Sequence, residues 1–130
     1  MKYTQTLIEP CIIKIDVEEN ALLDLEDVLA MRKTNLELNN GKDFCIIWDS
    51  RRGHHTIAPE ALKRMASPEY QETRKAAAIL VNSLAGKLVG NFFRSLSNDR
   101  SPTRLFTEEQ EALVWLRKFL DSPHVQHKRI

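Results

Sequence analysis

Short apolar, β-prone runs alternate along this chain with segments whose apolar positions recur every three or four residues. Tyr3–Ile8 and Cys11–Val17 are the first two runs, and they flank Glu9-Pro10, a pair suited to a tight reversal and hence to a hairpin. In the second run Ile13, Ile15 and Val17 share one face while Lys14 and Asp16 share the other, the mark of a strand with one face in a core. Leu25–Leu38 follows as a helix, with Asp24 placed to cap it and Glu26 and Asp27 favouring its first turn. Leu25, Val28, Leu29 and Leu36 form its expected buried stripe, and Asn39-Asn40-Gly41 stops it, because Asn and Gly tolerate left-handed backbone. Phe44–Trp48 is apolar throughout, which predicts a strand buried on both faces and ended by Asp49.

Beyond a polar loop, Ser50–His55, a helix is expected near Ala58–Met65, capped by Thr56 and tolerant of Pro59 in its first turn. Ser67-Pro68-Glu69 opens another short helix, and Ala76–Val81 is the next buried strand. Asn82-Ser83 leads into a helix with a broad stripe of Leu84, Leu88, Val89, Phe92, Phe93 and Leu96. Pro102–Phe106 reads as an edge strand on account of its proline. In the last helix Thr107 is the expected cap, with Gln110 completing a capping box and Leu113, Leu116 and Leu120 buried. Ser122-Pro123 is expected to end it, leaving residues 123–130 as a flexible tail behind a single domain of residues 1–122. The order is ββαβααβαβα. Strands joined by helical crossovers pair in parallel, so only the opening hairpin is antiparallel, and the fold class is α/β with a mixed sheet of about five strands covered by helices.

Composition narrows the possible partners. Lys and Arg number 19 against 18 Asp and Glu, which gives no bulk electrostatic attraction to nucleic acid or to an anionic membrane. A hydrophobic fraction of 42% with 28% charged residues is that of a globular domain. The polar start, Met1–Thr6, lacks the apolar stretch of a secretory signal, and the longest apolar run, Ala76–Val81, is too short to span a bilayer. Cys11 and Cys45 both sit among apolar neighbours, match no zinc spacing, and are expected to be reduced and buried in a cytoplasmic protein.

Several stretches carry a resemblance. Leu23-Asp24-Leu25-Glu26-Asp27 opens the first helix, and Ile46-Ile47-Trp48-Asp49-Ser50-Arg51 closes a strand. Ala77-Ala78-Ile79-Leu80-Val81-Asn82-Ser83 runs into Leu88-Val89-Gly90-Asn91-Phe92-Phe93, and Leu105-Phe106-Thr107-Glu108-Glu109 into Ala112-Leu113-Val114-Trp115-Leu116. With the element order, these resemble a subgroup of bacterial STAS/SEC14-type proteins of uncharacterised role, over roughly Cys11 to Leu120. The resemblance implies the SpoIIAA-like fold of anti-sigma-factor antagonist (STAS) domains and a regulatory, protein-binding role. STAS regulators switch by phosphorylation in an Asp-Ser-Ser-Gly-like loop at the start of the helix after the central strand. Here that place reads His54-His55-Thr56-Ile57-Ala58-Pro59-Glu60, so Thr56 is the candidate phosphoacceptor; Asp49-Ser50 stands earlier, and no glycine follows at the motif's spacing.

Asp49, Arg51, Arg52, His54 and His55 form a candidate anion-binding loop, because ligands of open α/β sheets bind beyond the carboxyl ends of the strands. The plainer reading is a solvated basic loop in which Asp49 pairs with an arginine. Adjacent histidines on extended backbone point apart, so no metal is expected there. A phosphate on Thr56 would gain from Arg51 and Arg52; otherwise Thr56 is a helix cap. Val89, Phe92 and Phe93 are a candidate interface for self-association or a protein partner, unless the whole stripe is core. No catalytic residue, nucleophile elbow or phosphate-binding glycine loop is recognisable, and no cofactor is implied. The leading expectation is a non-catalytic, STAS-like regulatory or interaction domain without nucleic-acid binding or membrane insertion. The alternative is a small apolar-ligand or lipid-binding domain of SEC14/CRAL-TRIO character, its pocket under the Leu84–Leu96 helix, and an enzyme comes third.

Overall fold

The computed structural model describes residues 1–83 and 101–127, with side chains as far as residue 120. Its main sheet has five strands: β1 (Tyr3–Glu9), β2 (Ile12–Val17), β4 (Phe44–Asp49), β6 (Arg74–Leu80) and β7 (Thr103–Phe106), in the spatial order β1-β2-β4-β6-β7. Two-residue strands β3 (Leu22–Leu23) and β5 (Thr56–Ile57) pair in parallel as a separate ladder. The hairpin β1–β2 is antiparallel and the other main-sheet pairs are parallel, as expected of strands linked by crossovers. Its reversal lies one residue later than the sequence suggests, at Pro10-Cys11. Proline sets the first turn dihedral and Cys11 takes the left-handed one, at φ 66°.

Every residue of β4 is buried. Phe44, Ile46 and Trp48 face a core that takes in α1 (Leu25–Leu38), α2 (Pro59–Met65) and α3 (Pro68–Thr73). Cys45 and Ile47 face the opposite core, which is closed by Ala112, Leu113 and Leu116 of α4 (Glu109–His127). Helices therefore cover both faces of the sheet, and its central strand reads as one unbroken apolar run.

Helix α1 has the predicted bounds. The Asp24 carboxylate accepts from the Asp27 N–H at 2.9 Å, and the Asp27 carboxylate accepts from the Asp24 N–H at 3.0 Å, a reciprocal cap. Its inward stripe differs from the expected one: Val28, Met31 and Asn35 are buried, whereas Leu29 is 40% exposed. Asn35 is admitted because its Oδ1 accepts from Gln5 Nε2 on β1, at 2.7 Å, so the buried amide is not left unpaired.

Helix boundaries bring three further corrections. Thr56 does not cap α2, because its N–H donates to Ala21 O at 2.9 Å in the β3–β5 ladder. The chain thus stays extended to Ala58, which holds the cap position without a side-chain bond. Helix α4 starts at Glu109, so Glu108 rather than Thr107 precedes it. It continues through Pro123 to His127, since proline forfeits one backbone bond while its fixed φ remains helical. The Leu84–Leu96 helix lies outside the described residues. No helix among those described is long and apolar enough to cross a membrane.

Both cysteines are free; Cys45 is buried as expected, but Cys11 is only half-buried, because it sits in the turn rather than in the strand. Burial pushes the Cys45 thiol up to about 12, so almost no thiolate is present at neutral pH. A thiol reagent applied to the native protein should label Cys11 well before Cys45, read by mass spectrometry of the peptides. Asp24→Ala should cost roughly 1 kcal/mol through loss of the reciprocal cap, seen as a lower urea midpoint with an unchanged slope.

Candidate functional site

Parallel register sets Asp16 of β2 beside Asp49 of β4, at the carboxyl ends of both strands. Lys14, two residues earlier on the same face of β2, points toward the same end. The β7–α4 connection then carries Glu109 over them. Lys14 Nζ lies 2.8 Å from Glu109 Oε1 and 3.6 Å from Asp49 Oδ2. These groups, far apart in sequence, form one charged cluster.

Arg51 closes the cluster. Its Nε and Nη2 donate to the two oxygens of Asp49, each at 2.9 Å, and its backbone N–H adds a third bond to Oδ1 at 3.0 Å. Arg51 Nη2 also lies 3.5 Å from Glu109. Arg52 points to the neighbouring strand and grips Asp16 with Nε at 2.8 Å and Nη2 at 3.3 Å, with Glu18 3.8 Å away. Burial of Asp49 opposes its ionisation, but Arg51 and Lys14 together hold the carboxyl below the usual carboxylate range. The Glu109 bond raises the Lys14 pKa against the cost of its burial. Lys14, Asp16, Asp49, Arg51 and Arg52 surround an open depression of about 400 Å³.

The loop is held on several sides. Asn20 N–H donates to His54 O at 2.6 Å, Ser50 N–H to Leu80 O at 2.9 Å, and Asn82 Nδ2 to Arg51 O at 2.9 Å. Gly53 has φ 148°, a backbone conformation that favours glycine, and a Cβ there would lie 2.7 Å from Cγ of the exposed Glu19 side chain.

The five residues of the candidate anion loop separate. Asp49, Arg51 and Arg52 meet at the depression, but each arginine is already engaged by a carboxylate. His54 is exposed, whereas the half-buried His55 turns to the other side and accepts from Trp48 Nε1 at 3.2 Å through its own Nε2. Thr56 is exposed on β5, not at a helix start. Val89, Phe92 and Phe93 lie outside the described residues. Lys14, Asp16 and Glu109 escape a reading of the sequence, because only strand order and the return of α4 place them beside Asp49. The alternation that put Lys14 and Asp16 on the polar face of β2 was their one local signal.

An indole N–H can only donate, so His55 Nε2 carries no proton and the ring is the neutral Nδ1 tautomer. Burial lowers the His55 pKa. The folded state therefore binds this proton more weakly than the unfolded chain does. Its contribution to stability is complete above the ordinary histidine pKa of roughly 6.5 and is lost as pH falls toward the depressed folded value. The urea midpoint should fall between pH 7.5 and 5.5, and His55→Gln, which retains an acceptor but does not titrate, should flatten that slope.

Residues 6–120 match the model of a family described as a domain of unknown function, DUF7793. No curated protein matches the chain. Among solved structures, the fold is similar to that of an uncharacterised DUF3478-family protein with a SpoIIAA-like fold from Shewanella loihica PV-4. The TM-score is 0.60 at 15% identity, covering 88% of this chain and 93% of the other. The hairpin, the five-stranded mixed sheet and its covering helices are thus those of the SpoIIAA-like fold, and by its sequence the chain belongs to the DUF7793 family.

Proposed function

We propose that this domain is a non-catalytic, STAS-like interaction module that binds a protein partner through the charged surface at the carboxyl end of its sheet. The observation that carries this reading is the pairing of charges around the depression. Arg51 is matched by Asp49, Arg52 by Asp16, and Lys14 by Glu109. A cradle for a small anion needs uncommitted donors, whereas a mosaic of both signs suits a protein surface carrying the complementary mosaic. Asp49 is held as an anion rather than poised to exchange a proton, and His55 spends its free nitrogen on Trp48. The fold-level likeness to STAS domains supports a regulatory role by analogy only.

The lipid-carrier alternative places its pocket under the Leu84–Leu96 helix, outside the described residues. Among the described residues, the apolar cavity between the sheet and α1–α3 is about 30 Å³, against roughly 300–1,000 Å³ for ligand pockets.

Arg52 lies at the rim of the depression and is exposed, so reversing its charge should spare the fold while disturbing the surface. Photo-crosslinking in extract of the source organism, from a photoreactive residue at exposed position 54 of the same loop, should join the domain to another protein, and Arg52→Glu should reduce that crosslink about tenfold, more steeply at low salt. Recovery of the protein with a bound small molecule and no crosslink from position 54 would overturn the reading.

A further inference from the structure

Arg74 opens β6 at the amino end of the sheet, opposite the charged depression. It is 4% exposed. Its Nε donates to Ser101 Oγ at 3.1 Å and its Nη1 to Met65 O at 3.1 Å, both uncharged acceptors. Its Nη2 is buried without a hydrogen-bond partner, and no carboxylate among the described residues pairs with the side chain. Burial lowers its pKa only to about 10, so the guanidinium remains a cation at neutral pH. An uncompensated buried charge is costly, and folded proteins ordinarily supply a counter-charge.

Arg74 lines the cavity between the sheet and α1–α3, and so does Arg32 of α1. Arg32 Nε is likewise buried and without a partner, while its Nη groups reach outward, Nη1 lying 3.8 Å from the Glu69 carboxylate. The remaining lining is mostly apolar, with Trp48, Met31 and Phe44 among it. A volume of about 30 Å³ holds about two or three water-sized groups, since a single water needs roughly 10–15 Å³. Because Arg74 and Arg32, each with a buried unpaired N–H (Nη2 and Nε), line one small, mostly apolar cavity, we infer that this cavity binds a small monovalent anion, either halide or a short carboxylate. The apolar walls discriminate against strongly hydrated, multivalent anions, and the cavity size excludes large ones. The anion neutralises Arg74 and ties β6 to α1.

The purified full chain, titrated with sodium chloride, bromide, formate or acetate at ionic strength held constant with gluconate, tests this. Thermal midpoint should rise saturably with the small anions, by roughly 5 °C at tenfold above the dissociation constant, and Trp48 fluorescence should change over the same range. Halide acting alone identifies an inorganic ion, and tighter binding of formate or acetate identifies a carboxylate; both support the site. Arg74→Met should abolish the response. Should that variant fail to fold, Arg32→Met, at the partly exposed mouth, should weaken the apparent affinity at least fivefold. Crystals soaked in bromide should show an anomalous peak beside Arg74 Nη2. A thermal midpoint that does not saturate, a response unchanged in Arg32→Met, or bromide found only elsewhere would overturn the inference and leave the cavity to water.

Discussion

Burial of β4 on both faces is the constraint on which the rest of this domain depends. A strand covered on both sides must find apolar partners for successive side chains, and β4 does so by sending Ile46 and Trp48 to one core and Cys45 and Ile47 to the other. Each large side chain so buried contributes roughly 1.5–3 kcal/mol, and its flanking strands must match it with apolar residues. Ile13 and Ile15 on β2, and Ala77 and Ile79 on β6, meet that demand on the α1–α3 side. Alanines at 76 and 78 leave room for α4 on the other.

The charged end of the sheet follows from that arrangement. Once β2 and β4 run in parallel, Asp16 and Asp49 are neighbours by register, and two carboxylates so placed need cations. Arg51 and Arg52 supply them from the next turn of chain, and Lys14 spans the gap to Glu109. Gly53, packed against Glu19, lets the loop turn back toward β3 after the arginines are set. Both arginines of the loop are thus engaged by carboxylates of the neighbouring strand ends.

The opposite end of the sheet follows a different logic. There the one deeply buried cation, Arg74 among the described residues, meets only neutral acceptors and an apolar cavity. Charge is paired where the surface is open and unpaired where it is closed. That inversion separates the two ends as different kinds of site.

Local pattern in the chain was enough to specify the alternation of strands and helices, the bounds of α1 and its Asp24 cap, the double burial of Phe44–Trp48 and the edge position of β7. These depend on periodicity and on interactions within a few residues, which a linear sequence displays directly. The burial of Asn35, the displacement of the cap from Thr56 to Ala58, the separation of His55 from His54, and the meeting of Lys14 with Glu109 were decided only by the folded chain. In three of these cases the deciding partner is remote in sequence: Gln5 for Asn35, Ala21 for Thr56, and α4 for Lys14; for His55 it is Trp48, across the turn of the loop. A polar residue looks like surface until the group that satisfies it is brought alongside, and an arginine looks free until register delivers its carboxylate.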